Sequence, residues 1–189
     1  MKTEQTSIPD VIVLTPAVFG DERGQFAETW NAERMSKAGL DRTWVQDNQS
    51  ISTTAGTLRG LHFQSPPVAQ AKLVRCGRGA IWDVAVDIRV GSPTFGNWVG
   101  VELSAENRKQ LFVPEGFAHG FVTRTSDAEV LYKASAPYRS DAEGVLRWDC
   151  PDVGINWDLP NGPSVINQRD AEAACLSQFR SPFVFEDVS

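Results

Sequence analysis

An all-β domain, built as a closed sheet or a double-sheet jelly roll, is the fold this sequence predicts. Three observations carry that reading. Turn signals recur about every 8 to 12 residues, at 20–24, 54–56, 77–79, 91–93, 104–107 and 114–116. Residues 80–89 alternate with a period of two: Ala80, Trp82, Val84, Val86 and Ile88 make one wholly apolar face, and Ile81, Asp83, Ala85, Asp87 and Arg89 a mixed one. Only two stretches carry helix signals. An all-β chain must also dispose of its sheet edges, and closing or doubling the sheet are the usual ways.

Strands are expected at 8–14, 44–51, 71–74, 80–89, 98–103, 110–113, 117–123 and 130–134. The first helix is expected at 31–38, with Asn31 as its cap and Gly39 at its end. The second is expected at 170–179, capped by Asp170. Pro151 and Pro160 keep 149–163 irregular. With no internal repeat, low-complexity tract or interior linker, the chain reads as one domain over 1–189: a core at about 8–165 and a helical tail at about 170–189.

At 189 residues, 41% of them hydrophobic and 22% charged, the chain is neither disordered nor in need of staples; it should bury roughly 70% of its unfolded surface. No apolar run approaches the ~20 residues of a membrane span, and residues 1–10 hold one lysine and no apolar core, so a cytoplasmic protein is expected. A net charge of -6 makes nucleic acid a poor partner. Cys76, Cys150 and Cys175 are odd in number, far apart and without a CxxC pair, so they read as small buried side chains in a reducing compartment, with no disulfide and no zinc site. The 10 Phe and 6 Trp exceed what so small a core needs, so some should sit at a subunit interface or a ligand platform.

Two histidines, His62 and His119, lie in Gly-flanked apolar runs, as core residues or as catalysts. Arg59, Gln70 and Lys72 near His62 either face water or line a pocket. Two histidines without His-x-His cannot make the usual metal site of a small β-barrel. There is no Gly-x-Ser-x-Gly elbow, and Gly77-Arg78-Gly79-Ala80 lacks the pattern of a phosphate loop and reads as a hairpin turn. A histidine base with a carboxylate orienter, joined by one of the two tyrosines, Tyr132 or Tyr138, is the chemistry that remains.

Several ordered motifs resemble the dTDP-4-dehydrorhamnose 3,5-epimerase family. They are Asp21-Glu22-Arg23-Gly24-Gln25-Phe26-Ala27-Glu28-Thr29-Trp30, Gln46-Asp47-Asn48-Gln49-Ser50, Gly56-Thr57-Leu58-Arg59-Gly60-Leu61-His62-Phe63-Gln64, Gln70-Ala71-Lys72-Leu73-Val74-Arg75, residues 83–89, Gly91-Ser92-Pro93-Thr94-Phe95-Gly96 and Pro114-Glu115-Gly116-Phe117-Ala118-His119-Gly120-Phe121. The similarity runs from about Val13 to Asp170. Where the family often has a proline after the motif's Asp, residues 171–176 have none.

The resemblance implies a cupin-type jelly roll, a homodimer, and an isomerase that needs neither metal nor redox cofactor. It implies a dTDP-linked 4-keto-6-deoxyhexose as substrate, whose C3 and C5 protons are acidified by the C4 ketone. By the same resemblance His62 is the base, Asp170 its orienting carboxylate, Tyr132 the acid, and Lys72 the cation near the enolate oxygen. Arg23, Arg59 and Arg169 would meet the pyrophosphate with His119 as a further donor, Gln46, Asn48 and Glu28 the thymine or deoxyribose edge, Tyr138 and Phe26 would stack, Glu143 would bind substrate, and Arg23, Phe26 and Glu28 would come from a partner subunit. Two alternatives stand beside it: an epimerase acting at one position only, and a non-catalytic nucleotide-sugar binder.

Overall fold

A computed structural model describes residues 1–186. The strands in chain order are β1 (Lys2–Gln5), β2 (Ile12–Thr15), β3 (Val18–Asp21) and β4 (Gly24–Ala27), followed by helix α1 (Ala32–Lys37). Then come β5 (Gln46–Ser52), β6 (Leu58–Gln64), β7 (Lys72–Arg78), β8 (Ala80–Asp87), β9 (Trp98–Ser104), β10 (Gln110–Val113), β11 (Phe117–Thr123), β12 (Ala128–Ala134) and β13 (Glu143–Val145). The short helix α2 (Gln168–Ala171) and a 3-10 turn (Leu176–Gln178) follow. A six-stranded sheet of order β1-β2-β10-β7-β12-β5 faces a five-stranded sheet of order β13-β6-β11-β8-β9, and β3 and β4 form a separate ribbon. The pairings are antiparallel, and the architecture is the expected double-sheet jelly roll.

Three apolar layers hold it. Between the sheets, Val74, Leu111 and Val130 of one meet Ile81, Ala85, Phe117 and Phe121 of the other. Outside the six-stranded sheet, Met35 of α1 and Leu40 cover Leu14, Leu73 and Phe112. Outside the five-stranded sheet, Leu146, Val153, Trp157 and Phe183 cover Leu61, Phe63, Val84 and Val86. Strand β8 is therefore buried on both faces. Its apolar face points outward, under the C-terminal segment, and its mixed face, with Asp83, points into the molecule. Strand β6 is covered in the same way, which is why its pattern shows no clean alternation.

Two expectations need correction. Cys150 and Cys175 form a disulfide, with Cα atoms 5.2 Å apart and a sequence separation of 25; Cys76 alone is free, and buried. Separation along the chain hid the pair, because the C-terminal segment folds back over the sheet. Closing a loop of that length stabilises by about 3 kcal/mol through the unfolded chain. The expected helix at 170–179 is only the four-residue α2, capped by Asn167 and not by Asp170, plus the 3-10 turn. Asp170 is buried and its carboxylate is engaged elsewhere, so the helical tail is in fact an extended strap. Residues 187–189 of that expected tail lie outside the described residues. The helix at 31–38 is present as α1, with the Asn31 side chain accepting the Arg34 N–H.

Candidate active site

Strands β6 and β11 are neighbours, and His62 lies opposite His119 in their register. At Gly60 the backbone has φ +117°, and a Cβ there would lie 2.6 Å from Gly120 Cα and 2.7 Å from His119 O. Only glycine permits that approach and conformation. His62 points inward and keeps 29% of its side chain exposed, while Asp170 is fully buried. His62 Nε2 lies 2.8 Å from Asp170 Oδ1, and Asp170 Oδ2 accepts the Gly60 N–H at 2.9 Å. Burial works against an ionised Asp170, but the hydrogen bonds from His62 and Gly60 outweigh it and hold the carboxyl below its ordinary range. An ionised carboxylate only accepts, which assigns the proton to Nε2 and leaves the Nδ1 lone pair available.

A second imidazole–carboxylate pair lies beside the first. His119 Nε2 is 2.8 Å from Asp83 Oδ1, with both residues buried. Asp83 Oδ2 is buried without a hydrogen-bond partner. Burial pushes the His119 imidazolium down, Asp83 pulls against it, and Lys72 and His62 add to the lowering.

The facing sheet supplies Lys72 and Tyr132. Alternation along β7 and β12 turns Lys72 inward with Val74, and Tyr132 inward with Val130. Lys72 Nζ donates to the His62 carbonyl at 3.5 Å and sits 6.0 Å from the Tyr132 ring centroid. Burial pushes the Lys72 ammonium down to about 8, against the pull of Asp83 and Glu143. Burial and then Glu143 push the Tyr132 phenol up, with Arg59 opposing, so the phenol stays protonated at neutral pH.

A polar rim follows. Gln46 and Asn48 lie on the inner face of β5; Gln46 Nε2 donates to Asn48 Oδ1 at 2.9 Å, and Gln46 Oε1 accepts the Tyr138 N–H at 2.8 Å. Glu143 Oε2 accepts from the Tyr138 hydroxyl at 3.1 Å and pairs with the Arg169 guanidinium. Arg59 Nε donates to Ser52 Oγ at 3.3 Å. A cavity of about 320 Å³ opens on the outer face of the six-stranded sheet, beneath Trp30, and holds neither histidine. The titratable groups converge between the sheets, which makes that space the candidate site.

Comparison with known proteins identifies the family. A family model described as dTDP-4-dehydrorhamnose 3,5-epimerase matches residues 5–178. The chain belongs to that family. It is 53% identical over 175 residues to the dTDP-4-dehydrorhamnose 3,5-epimerase of Salmonella typhimurium, covering 92% of this chain and 94% of the relative. It is 47% identical over 188 residues to that of Sinorhizobium fredii, covering 100% and 96%. Its fold matches a Legionella pneumophila dTDP-6-deoxy-D-glucose-3,5-epimerase, crystallised with dTDP-4-keto-L-rhamnose, with a TM-score of 0.93, 39% identity and 98% of each chain covered.

Within this epimerase, His62, Lys72, Tyr132, Asp170 and His119 lie together between the sheets, Gln46, Asn48, Tyr138, Glu143 and Arg169 form a rim, and Arg59, bonded to Ser52, acts on Tyr132 from the side. Arg23, Phe26 and Glu28 do not join them within one chain. Arg23 pairs with Asp21 inside the ribbon, Phe26 is 69% exposed, and Glu28 pairs with Arg34 at 3.2 Å. His119, expected as a donor to the substrate, has its Nε2 engaged by Asp83 Oδ1. Sequence reasoning missed Asp83 as a site residue, although a lone carboxylate among Ile81, Val84 and Ala85 was a signal. It also missed Gln64, whose amide bonds the Arg139 N–H and the Pro137 carbonyl and so pins the rim loop. Among the described residues, no helix is long and apolar enough to cross a membrane.

Proposed function

We propose that this chain epimerises dTDP-4-dehydro-6-deoxy-D-glucose at C3 and C5, giving dTDP-4-dehydro-L-rhamnose. One observation carries the reading: the base and the acid stand on opposite sheets, so a sugar ring between them meets His62 on one face and Tyr132 on the other. His62 Nδ1 takes the proton next to the ketone, and the C–H electron pair moves to the C4 oxygen. The Lys72 ammonium stabilises that enolate, and the Tyr132 hydroxyl returns a proton to the far face, inverting the centre. Asp170 holds the His62 tautomer and stabilises the imidazolium. The reaction is redox-neutral and needs no hydride carrier, and Lys72 takes the place a Lewis-acidic metal would fill.

Arg59 and Arg169 suit the pyrophosphate, and Gln46, Asn48, Tyr138 and Glu143 the nucleoside, with His119 held in the wall behind them. Arg23, Phe26 and Glu28 complete the site from a second copy in a homodimer. The support is the ribbon, which has Phe19 64% and Phe26 69% exposed and, among the described residues, pairs with no other strand. Such a protein works in the cytoplasm, where nucleotide-activated sugars are made.

Deuterium incorporation from solvent, read by mass and NMR, tests the reaction. Two deuterons are expected; one would mean a single-position epimerase, and none a binder. Tyr132→Phe in the same assay should exchange a proton with little inversion; inversion keeping pace with exchange would remove Tyr132 from the acid role. For the shared site, His62→Asn and Arg23→Ala chains refolded together should recover part of the activity that each lacks alone. No recovery, with a monomer in solution, would discard the shared site.

A further inference from the structure

Asp170 reaches His62 from far along the chain, on a strap with little regular structure. Upstream the strap is anchored five residues away, where Val165 bridges Thr57 and its carbonyl accepts the Leu58 N–H at 2.9 Å. Downstream it is anchored five residues away at Cys175, bonded to Cys150. Three backbone donors reinforce that end: Arg147 N to Ala174 O at 3.0 Å, Leu176 N to Cys150 Sγ at 3.2 Å and Ser177 N to Asp152 Oδ2 at 2.9 Å. The helix between the anchors has only four residues, too few to hold itself. Asp170 is held locally by the Gly60 N–H on Oδ2 at 2.9 Å and by Asn167 Oδ1 on its own N–H at 2.7 Å, and the strap that carries it is fixed at two anchors, one of which is a redox bond.

We propose that the Cys150–Cys175 disulfide is a redox latch that holds Asp170 on His62, so that reduction slows proton transfer without unfolding the chain. The reductant is a dithiol. One of its thiolates attacks Cys175, the half-buried partner, since Cys150 is buried. The S–S bond breaks, and Cys150 leaves as a thiolate and takes up a proton. The second thiol of the reductant then displaces Cys175, also as a thiol. Two electrons and two protons pass to the protein, and the reductant becomes a disulfide. The structure accommodates the product, because Asp152 Oδ2 lies 3.6 Å from Cys150 Sγ as an acceptor for the new thiol. Phe179 and Phe183 remain packed on Phe63, with ring centroids at 5.3 and 6.1 Å, so the strap stays docked while the link next to Asp170 loosens.

This inference rests on the epimerase reading for its kinetic arm but not for its structural one. The purified, unreduced protein, unfolded and titrated for thiols, should show one, Cys76, and three after reduction. Reduction with dithiothreitol should lower kcat about tenfold with little change in KM, reversibly, because the orienter acts on the proton-transfer step and not on nucleotide binding. Amide exchange at Gly60, whose N–H is held by Asp170, should quicken on reduction. A Cys150→Ser, Cys175→Ser double variant should stay at the reduced level and ignore dithiothreitol, and Cys76→Ser should keep the response. Three thiols in the unreduced chain would overturn the latch. So would an epimerase whose kcat and Gly60 exchange are the same in both states. Quickened Gly60 exchange in a protein inactive in both states would instead overturn the epimerase reading and leave the latch standing.

Discussion

The two imidazole–carboxylate pairs look alike in distance and differ in construction. Both are 2.8 Å long and their histidines are opposed across one strand pair. Asp83 and His119 sit on the central strands β8 and β11, where the ladder and the core fix both partners. Asp170 comes from 108 residues beyond His62, on a strap, and its histidine is part-exposed to the cleft. The rigid pair forms part of the wall. The pair assembled from distant segments can meet a substrate, and its geometry depends on how well the strap is held. Equal distances in one protein thus lie in a rigid wall in one case and at an accessible cleft in the other, where the proposed reaction would use them for proton transfer.

Breaking the accessible pair should give the largest effect. His62→Asn should lower kcat by about a thousandfold through loss of general-base catalysis, with nucleotide binding and the melting temperature close to wild type. A variant that still washes deuterium into the sugar at near wild-type rate would remove His62 from that role.

The two carboxylates should then separate. Asp170→Asn should lower kcat by about a hundredfold with a small change in KM, since an amide favours the wrong tautomer. Asp83→Ala should act chiefly on the fold: it leaves His119 unpaired in the core and should reduce stability by about 3 kcal/mol. Denaturant melts alongside kinetics read the difference. An Asp83 variant of unchanged stability with a hundredfold loss of kcat would erase the distinction drawn between the pairs.

The smallest effect concerns pH. Lys72 is charged below its lowered value of about 8 and neutral above it, so kcat should fall as pH rises through about 8. Lys72→Arg keeps its charge at higher pH and should abolish that alkaline limb, at a cost of about tenfold in rate from altered geometry. A limb that persists in the arginine variant would assign it to another group.

Much of this was legible in residue order. The period of two in 80–89, the turn spacing and the Asn31 cap gave the strands, the fold class and α1. The family resemblance, more than local pattern, pointed to His62, Lys72, Tyr132 and Asp170, which the fold brings together between the sheets. Strand β6 was not legible as a strand, because Leu61 and Phe63 are buried outward while His62 and Gln64 are turned inward, and Gly60 breaks the pattern. The ribbon β3–β4 escaped notice because its side chains are exposed on both faces.

By itself the sequence determined the strands with clean alternation and which side chains are able to carry a proton, because alternation and residue chemistry are local properties. Only the tertiary structure decided which face of β8 points inward, that Asp83 pairs with His119 and Asp170 with His62, and that Cys150 bonds Cys175. Those outcomes depend on where the strap of residues 146–186 lies. It covers the outer face of the five-stranded sheet, which turns the mixed face of β8 into the core and brings Asp170 to His62, 108 residues back, while Cys175 closes on Cys150 within the strap itself. Burial and long-range pairing are settled by which surface is covered, and no local pattern specifies that.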